Sequence, residues 1–337
     1  MDKDGGILMQ ESVFRSFELA STGDLTDRTE EVGQLLRTFG VCRLGPGPFA
    51  LRCLTMPEGT SLTGCGFATN VILPDDVEDG FAIRLQKHCT VKDFQLSGSS
   101  EDIELPQEVG KRHGLLWKGN YSQDKNDRPW HGTVEGLAIH GFSGGGITHY
   151  DTGYNIESGL NVSNCQIWNC CAGINIAFWS EFSRYTNVNC SRNHYGVINN
   201  GGNNTFVNCC FSGNTLGALF DNTDGTARND SHGNFIGCLI DHSDHNNGVG
   251  IRMVNMNNGF CFADCHLFYS AIEIIGSSGV LFQGLLGSKH ENITVIGGGI
   301  VTFRDISYKG QPTIVIQDNP HVRFIDCYTR SGEPILP

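Results

Sequence analysis

The sequence has little charge and no long apolar run. Charged residues make up 18% of the 337 residues, and Asp plus Glu (36) outnumber Lys plus Arg (23). The formal net charge of −13, without a basic stripe, excludes nucleic acid as a favoured partner. An acidic surface also favours a neutral sugar over an anionic one, unless a local basic pocket intervenes. Because no run approaches the roughly 18 apolar residues of a membrane span, no membrane partner is predicted.

The N-terminus lacks the pattern of a secretory signal, because the first 14 residues, MDKDGGILMQESVF, contain no basic start followed by an apolar segment. We therefore expect cytoplasmic synthesis, with assembly into a phage or prophage particle as one destination. Paired Cys-x-x-Cys motifs are missing as well, so the 14 cysteines do not indicate a zinc site. They are expected to be free and buried, and no metal or cofactor is predicted.

Glycine, by contrast, is abundant at 44 residues, and a short phrase recurs along the chain at spacings of 19 to 43 residues. Each phrase pairs a Gly, Asn or Asp with an apolar residue. The apolar members are Cys65, Phe94, Leu137, Cys165, Cys190, Cys209, Cys238, Cys265, Leu285, Ile306 and Cys327. This period is typical of one coil of a β-solenoid with insertions. The apolar members are predicted to form one column inside the solenoid, with about 4.8 Å between residues of neighbouring coils. Asn164, Asn189 and Asn208 are predicted to form a ladder of amide side chains at a bend of the chain.

A second strand family precedes most of these phrases. Its alternation predicts an inward column of Ile147, Ile174, Val197, Ile251, Ile272, Ile293 and Ile314. The next residue of each strand is predicted to point outward. These residues are Thr148, Asn175, Ile198, Leu219, Arg252, Glu273, Thr294 and Val315. His149 and Asn199 fall at inward positions, where hydrogen-bonded interior side chains are expected rather than catalytic groups.

One helix is predicted before the repeats, over residues 26–40. Asp27 or Thr29 is the expected N-cap and Gly40 the expected C-cap. Such a helix would cover the apolar end of the first coil. The sequence therefore divides into an N-terminal arm with a capping helix, residues 1–45, and a parallel β-helix domain of about eleven coils, residues 46–337.

Two segments give the pattern a likeness to a known family: Thr38-Phe-Gly-Val-Cys-Arg-Leu-Gly-Pro-Gly47 and Met56-Pro-Glu-Gly-Thr-Ser-Leu-Thr-Gly64. With the repeats, they resemble the right-handed parallel β-helix proteins of the pectate-lyase-like superfamily, most of all phage and prophage tailspikes or tail fibres. The resemblance implies an all-β, single-stranded parallel β-helix, homotrimers, carbohydrate binding and, often, glycan cleavage by carboxylates. It also implies other phage tail or baseplate proteins as partners.

The candidate site follows the second strand family, where three overlong coils place loops at about 119–131, 151–159 and 222–234. The candidate catalytic carboxylates are Asp151, Glu181, Asp221, Asp224 and Asp230. The candidate substrate-binding residues are Trp130, Tyr150, Trp179, Asn200, Asn222 and His232, which offer ring faces or polar groups to a sugar. Asp151 is one coil from Glu181 and Asp224 is two coils from it. At one strand spacing per coil, the expected distances are about 5 Å and about 10 Å.

Glycoside hydrolysis requires a pair of carboxylates. They lie about 5–5.5 Å apart in retaining enzymes and about 6.5–9.5 Å apart in inverting enzymes. Asp and Asn after a strand also commonly close turns, which is the structural alternative for each residue. Three functions stay open: a phage-tail-type carbohydrate-recognising protein that hydrolyses a glycan, a free-standing glycan enzyme such as a fructan-cleaving transferase, and a non-catalytic binding or structural fibre module.

Overall fold

A computed structural model of the chain describes residues 17–98, 108–117, 130–149, 158–177, 180–223, 232–241, 248–288 and 292–337. The strands in these ranges wind into a parallel β-helix in which a regular coil contributes one strand to each of three faces. We call these face 1, face 2 and face 3, in the order in which the chain crosses them. All ladder pairings between neighbouring strands are parallel, as the predicted fold class requires.

Face 1 is a sheet of eleven described strands. They are Leu54–Thr55, Gly80–Leu85, Arg112–Trp117, Gly145–His149, Ala172–Ile176, Tyr195–Asn199, Leu216–Asp221, Val249–Val254, Ala271–Ile275, Asn292–Ile296 and Thr313–Gln317. The predicted inward column is confirmed, since Ile147, Ile174 and Val197 pair in register and are fully buried. The predicted outward column is confirmed over the same coils, where Thr148, Asn175 and Ile198 pair.

Faces 2 and 3 form one continuous sheet that bends once per coil. The first coils contain Phe17–Leu19, Val41–Leu44 and Gly47–Ala50, followed by the long bent strands Ser61–Ile72 and Thr90–Ser97. Later face 2 strands are Trp130–Glu135, Ser158–Ser163, Arg184–Thr186, Asn204–Val207, Gly233–Ile236, Phe260–Ala263, Val280–Gln283, Val301–Arg304 and Val322–Ile325. Later face 3 strands are Ala138–His140, Gln166–Trp168, Asn189–Ser191, Cys210–Ser212, Leu239–Asp241, His266–Phe268, Leu286–Gly287, Ser307–Tyr308 and Tyr328–Thr329.

The bend between faces 2 and 3 explains the first residue of the recurrent phrase. Its φ lies between 52° and 66° at Asp93, Gly136, Asn164, Asn187, Asn208, Gly237, Asp264, Gly284, Asp305 and Asp326. Most residues lose conformational free energy in this left-handed region of φ. Asn and Asp tolerate it better than most residues, and Gly adopts it without steric hindrance. One such residue per coil turns the chain through the bend.

The predicted columns are wrong at two phrases, Asn189-Cys190 and Gly64-Cys65. Asn187, and not Asn189, has the left-handed φ, and Val188 follows it into the interior at 1% exposure. Cys190 instead lies on face 3, where it pairs with Ile167 and Phe211. The segment Asn187-Val-Asn-Cys190 contains the Asn-apolar phrase twice, and the register of the face 2 strands selects the first copy because Ser163 pairs with Thr186.

The first coil is also irregular, because Phe94 pairs with Gly66 between two register shifts rather than with Cys65. Cys65 is accordingly only partly buried. The remaining columns hold, and Cys165, Cys209, Cys238 and Cys265 are each 1% exposed. All cysteines are free, and Cys53, Cys65, Cys210 and Cys261 are the partly exposed ones. Burial raises the pKa of the Cys165 thiol to about 12, as expected for a thiol packed as a small apolar group.

Aromatic rings fill the interior of face 2 in a single stack. Successive ring centroids lie 4.4 to 5.0 Å apart through Tyr185, Phe206, Phe235, Phe262, Phe282, Phe303 and Phe324. The spacing is that of the strands themselves, so each ring is carried by its own coil. Stacked rings add specific contacts to the area that each buries.

Glycines line the start of face 1, directly before its inward column. They are Gly114, Gly146, Gly173, Gly196, Gly217 and Gly250. A Cβ at Gly196 would lie 2.5 Å from the carbonyl oxygen of Gly217 and 2.8 Å from Asn214 Nδ2. Consecutive coils approach too closely here for any side chain.

The helix spans Thr29–Phe39 and packs its Val32 and Leu36 into the core at the first coil, as predicted for a cap. Gly40 ends it with φ 74° and donates its N–H to Leu36 O at 2.8 Å. The predicted N-cap is wrong, because Arg28 occupies that position without a side-chain cap hydrogen bond. Asp27 precedes it, and its carboxylate accepts the N–H of Thr29 at 2.9 Å. No helix in the described residues has the length and apolar character needed to cross a membrane.

Candidate functional site

The corner between face 1 and face 2 carries the predicted site. Glu181, Asn200, Asp221, Asn222 and His232 are described there. Predicted residues that lie outside the described ranges are Asp151, Asp224, Asp230, Tyr150 and Trp179. Trp130 begins the face 2 strand Trp130–Glu135.

Glu181 lies in the connection from Ala172–Ile176 to Arg184–Thr186 and is partly exposed. Asn203 Nδ2 donates to Glu181 Oε2 at 3.0 Å. A Cβ on Gly202 would lie 3.3 Å from Glu181 Oε1 and 2.8 Å from His232 Cε1. The glycine therefore lets a carboxylate and an imidazole from the coils on either side approach the same space.

A buried amide fixes the backbone around Glu181. Asn204 Nδ2 donates to Ser180 O at 3.1 Å, and Ser183 N donates to Asn204 Oδ1 at 3.0 Å. Asn204 is fully buried, so this clamp holds both ends of the short segment from inside the coil. Glu181 is thus an exposed carboxylate on a rigid support.

The interior beneath this corner is polar, as predicted for His149 and Asn199, which are at most 1% exposed. The Tyr185 hydroxyl and His149 Nε2 are hydrogen-bonded at 2.5 Å. Asn204 Nδ2 donates to Asn199 Oδ1 at 3.1 Å. Burial lowers the pKa of His149 to about 3, so the ring is neutral at physiological pH. Both residues support the fold of the corner from inside the coil.

Asp221 closes a turn with one of its oxygens. Asp221 Oδ1 accepts the N–H of Thr223 at 2.7 Å and also the Thr223 hydroxyl, while Asp221 N donates to Asn200 Oδ1 at 3.0 Å. The strand that ends at Asp221 lies two coils from the strand before Glu181, which is about 10 Å. That separation exceeds the spacing for a retaining pair and lies just above the range for an inverting one.

Asn222 also joins coils. Its N–H donates to Val254 O at 3.0 Å, and its Nδ2 donates to Asn255 O at 3.3 Å. Asn200, Asp221 and Asn222 therefore form hydrogen bonds that order the corner, whereas Glu181 and His232 carry the groups suited to proton transfer.

Two adjoining clefts open on the outer side of face 1, with volumes of about 530 and 360 Å³ and with Gly110 and His113 common to both. The larger is lined also by Asp79, Gly80, Phe81, Arg84, Lys111 and Leu116. The smaller is lined also by Val109, Thr148, His149, Asn175 and Ala177. We call the pair the face 1 cleft. It runs toward the strand ends that carry the predicted site.

His113 in this cleft has a defined tautomer. Gly145 N donates to His113 Nδ1 at 3.0 Å, and Thr148 Oγ1 lies 2.9 Å from the same nitrogen. Burial lowers the pKa of His113, against the opposing charge of Asp79, so the ring is neutral at pH 7. Because Nδ1 accepts, the ring carries its proton on Nε2 and is a donor there.

Two basic residues accompany His113. Arg84 precedes Leu116 and Thr148 in the outward column of face 1, and its buried Nε has no hydrogen-bond partner in the described part of the chain. Lys111 Nζ lies 3.4 Å from Asp79 Oδ2, with both side chains largely exposed. The cleft therefore has two cationic side chains against one carboxylate, Asp79, in a protein that is acidic overall.

Sequence reasoning missed Arg84 because it began the face 1 strands at Ile147. The segment Gly80-Phe-Ala-Ile-Arg-Leu85 has the same glycine start and the same alternation. Extending the column to this coil would have found Arg84. Arg252, the outward basic residue that the sequence did indicate, forms an ion pair with Glu273 at 2.7 Å.

No protein-family model matches the chain, and no curated protein matches it in sequence. Solved structures do match in fold. DFA-IIIase from Arthrobacter chlorophenolicus A6 is 10% identical with a TM-score of 0.59, over 91% of this chain and 93% of that one. The enzymatically active domain of tailspike protein 2 from bacteriophage CBA120 is 11% identical with a TM-score of 0.57, over 86% of this chain and 50% of that one.

A third match is the catalytic domain of an α-1,3-glucanase, 12% identical with a TM-score of 0.50, over 91% of this chain and 67% of that one. The chain spans about half the length of the tailspike domain that it matches. At these identities the likeness concerns the fold. Together with the parallel faces, it confirms that the chain has the parallel β-helix fold found in tailspikes and glycoside hydrolases.

Proposed function

We propose that this chain is a carbohydrate-binding β-helix protein that hydrolyses a glycan at the corner between face 1 and face 2. The observation that carries the proposal is Glu181, an accessible carboxylate held by Asn203 beside His232. Glycoside hydrolysis needs a general acid and a second carboxylate that attacks or activates water. The names of the structural neighbours, a glucanase and an enzymatically active tailspike domain, support a glycan as substrate.

The second carboxylate in this proposal is Asp151, Asp224 or Asp230. Asp221 is the weaker candidate because one of its oxygens closes a turn. Asp151, Asp224 and Asp230 lie outside the described residues. The sequence spacing predicts about 5 Å from Glu181 to Asp151, which suits retention, and about 10 Å to Asp224, near the inverting range.

The face 1 cleft favours an acidic glycan, in contrast to the neutral sugar expected from net charge. Arg84, Lys111 and the Nε2 proton of His113 are all donors, and carboxylate oxygens are the acceptors that such donors bind most strongly. We propose that an acidic sugar of the substrate lies in this cleft while the scissile bond lies at Glu181. The binding should weaken as salt rises, because the charged groups are partly exposed.

The proposal includes a phage-tail setting, which the tailspike likeness supports, and a homotrimer. A free-standing glycan enzyme of the fructan-cleaving type is the second candidate. The DFA-IIIase match favours it, because that match extends over nearly the whole of both chains. Light scattering of the purified chain distinguishes monomer from trimer.

The decisive experiment measures reducing-sugar release from alginate, polygalacturonate, dextran and inulin. Glu181→Gln should lower release by about 10²-fold or more, as expected on removing a group that transfers a proton or attacks the sugar. Arg84→Ala with Lys111→Ala should raise KM for the acidic polymers with little change in kcat.

Glu135→Gln is the control, since Glu135 ends its face 2 strand on the side away from the corner. It should retain full activity. Equal activity of the Glu181→Gln protein and the parent would refute the catalytic assignment, and so would a parent that cleaves no polymer of the four.

A further inference from the structure

Face 3 has an outward column that neither the candidate site nor the cleft uses. In register across five coils it contains Ser97, His140, Trp168, Ser191 and Ser212. The rings of His140 and Trp168 are both partly exposed. They stack with centroids 4.7 Å apart and planes 15° apart. Two flat rings thus lie parallel on the outside of the solenoid.

The His140 ring is fixed from the preceding coils. Gln95 Nε2 donates to His140 Nε2 at 2.9 Å, and Ser97 Oγ lies 3.0 Å from the same nitrogen. Ser97 Oγ in turn donates to Asn70 Oδ1 at 2.8 Å. Burial lowers the pKa of His140, so this ring is uncharged at pH 7. Its stack with Trp168 holds the indole in one orientation.

The other side of Trp168 faces two coils that have only serine in the column, Ser191 and Ser212. A serine side chain is far shorter than an indole, so within this column the second face of Trp168 is not covered by another ring. Gln166 and Asn189 lie one column away and are exposed. An apolar ring face is therefore bordered by hydroxyl and amide groups, and none of these side chains is charged.

We propose that this surface, the Trp168 platform, binds a neutral sugar ring. A sugar presents an apolar face that stacks on an aromatic ring, and its hydroxyls take hydrogen bonds from side chains around the edge. A protein partner is disfavoured because a stable interface needs about 800 Å² per side with an apolar centre, and two rings among amides and serines do not supply it. The platform is a binding site separate from Glu181, and it does not depend on catalysis.

Affinity electrophoresis in gels that contain dextran, inulin, mannan or alginate tests the platform. The parent protein should be retarded in at least one neutral-polymer gel, and Trp168→Ala should abolish that retardation. Trp168→Phe should keep part of it, because a smaller ring still stacks. Tyr328→Ala is the matched control: Tyr328 is an exposed face 3 aromatic at 47% exposure that pairs with Ser307 in another coil.

Glu181→Gln and the Arg84→Ala, Lys111→Ala double variant should migrate as the parent does in the neutral gels, so failure of the proposed catalysis leaves this result standing. The platform is refuted if Trp168→Ala, folded by circular dichroism, is retarded as strongly as the parent, or if the parent is retarded in no neutral gel. Loss of a dimer in Trp168→Ala, seen by light scattering without a change in retardation, would assign the surface to a second copy of the chain instead.

Discussion

At the scale of single residues, His149 is a titratable group that the coil keeps neutral. Its ring is enclosed and hydrogen-bonded to the Tyr185 hydroxyl, and burial lowers its pKa to about 3. The unfolded chain has a histidine with the ordinary pKa of about 6.5. Between these two values the unfolded state binds a proton that the folded state does not.

The free energy of unfolding should therefore decrease as pH falls below about 6.5, by up to about 1.4 kcal/mol per pH unit, until about pH 3. Between pH 7 and pH 4.5 the His149 contribution is about 2–3 kcal/mol. Urea denaturation of the parent and of His149→Gln at both pH values measures it, since the variant should lose less stability on acidification. His321→Gln, at an exposed position, is the control and should behave like the parent. If the parent and His149→Gln lose the same free energy of unfolding between pH 7 and pH 4.5, His149 does not cause this loss.

Alternation along one strand predicts that His149 points inward, but it does not predict the hydrogen bond to Tyr185. That contact joins face 1 to face 2 across 36 positions of sequence. The same limit applies to Glu181. The sequence places it at a strand end, whereas its relation to Gly202 and His232 depends on how three coils stack.

At the scale of structural elements, the glycine column at the start of face 1 sets how closely coils approach. Gly196→Ala would drive a methyl group against the backbone oxygen of Gly217, which cannot move without distorting the next coil. We expect a loss of about 1–3 kcal/mol, as for other overpacked sites. Thermal and urea denaturation measure it.

Gly33→Ala is the matched control, because its new methyl group would meet the flexible end of Arg37 at 3.3 Å and Leu54 Cδ1 at an ordinary contact distance of 3.8 Å. Alanine is favoured over glycine within a helix by up to about 1 kcal/mol, so this variant should be neutral or more stable. A Gly196→Ala protein as stable as the Gly33→Ala protein would show that the coils can separate at this edge.

Element boundaries show where sequence patterns reach their limit. The strand families and their inward columns were predictable because alternation follows from strand geometry. The error at Cys190 arose where two Asn-apolar pairs lie two residues apart and both satisfy the pattern. Only pairing with the neighbouring coil distinguishes them, and that information is absent from a local phrase.

At the scale of the whole molecule, the two ends of the solenoid are covered unequally. The helix buries Val32 and Leu36 over the first coil, whereas at the other end Ile335 is buried and its N–H donates to Cys327 O at 2.9 Å. A solenoid is stabilised by contacts between neighbouring coils, so opening proceeds from its weaker end.

Thiol alkylation followed by mass spectrometry should therefore modify Cys327 before Cys209 in low concentrations of urea. Burial raises the pKa of the Cys327 thiol, and the hydrogen bond with Cys238 together with burial raises the pKa of the Cys209 thiol, which limits the reaction of both in the folded state. Ile335→Ala should accelerate the modification of Cys327 by several-fold and leave Cys209 unchanged. A single common rate for both cysteines would show that the solenoid opens as one unit.

The fold of the whole molecule was predictable because its period repeats many times, and each repeat reinforces the others. The face 1 cleft was not, because it combines residues from the irregular early coils, where the spacing of the phrase reaches 43 residues. Its lining residues from 79 to 177 become neighbours through the winding alone.

The left-handed bend between faces 2 and 3 uses a single residue in each coil, from Asp93 to Asp326, and leaves no slack there. From Asp93 onward, added chain lies at the other two edges, whereas the first coil has extra residues at this bend, between Thr63 and Asn70. The connections after face 1 differ in length, as 297–300 and 222–232 show. Evolution can thus exchange whole loops beside Glu181 for new specificities while the winding itself is inherited without change.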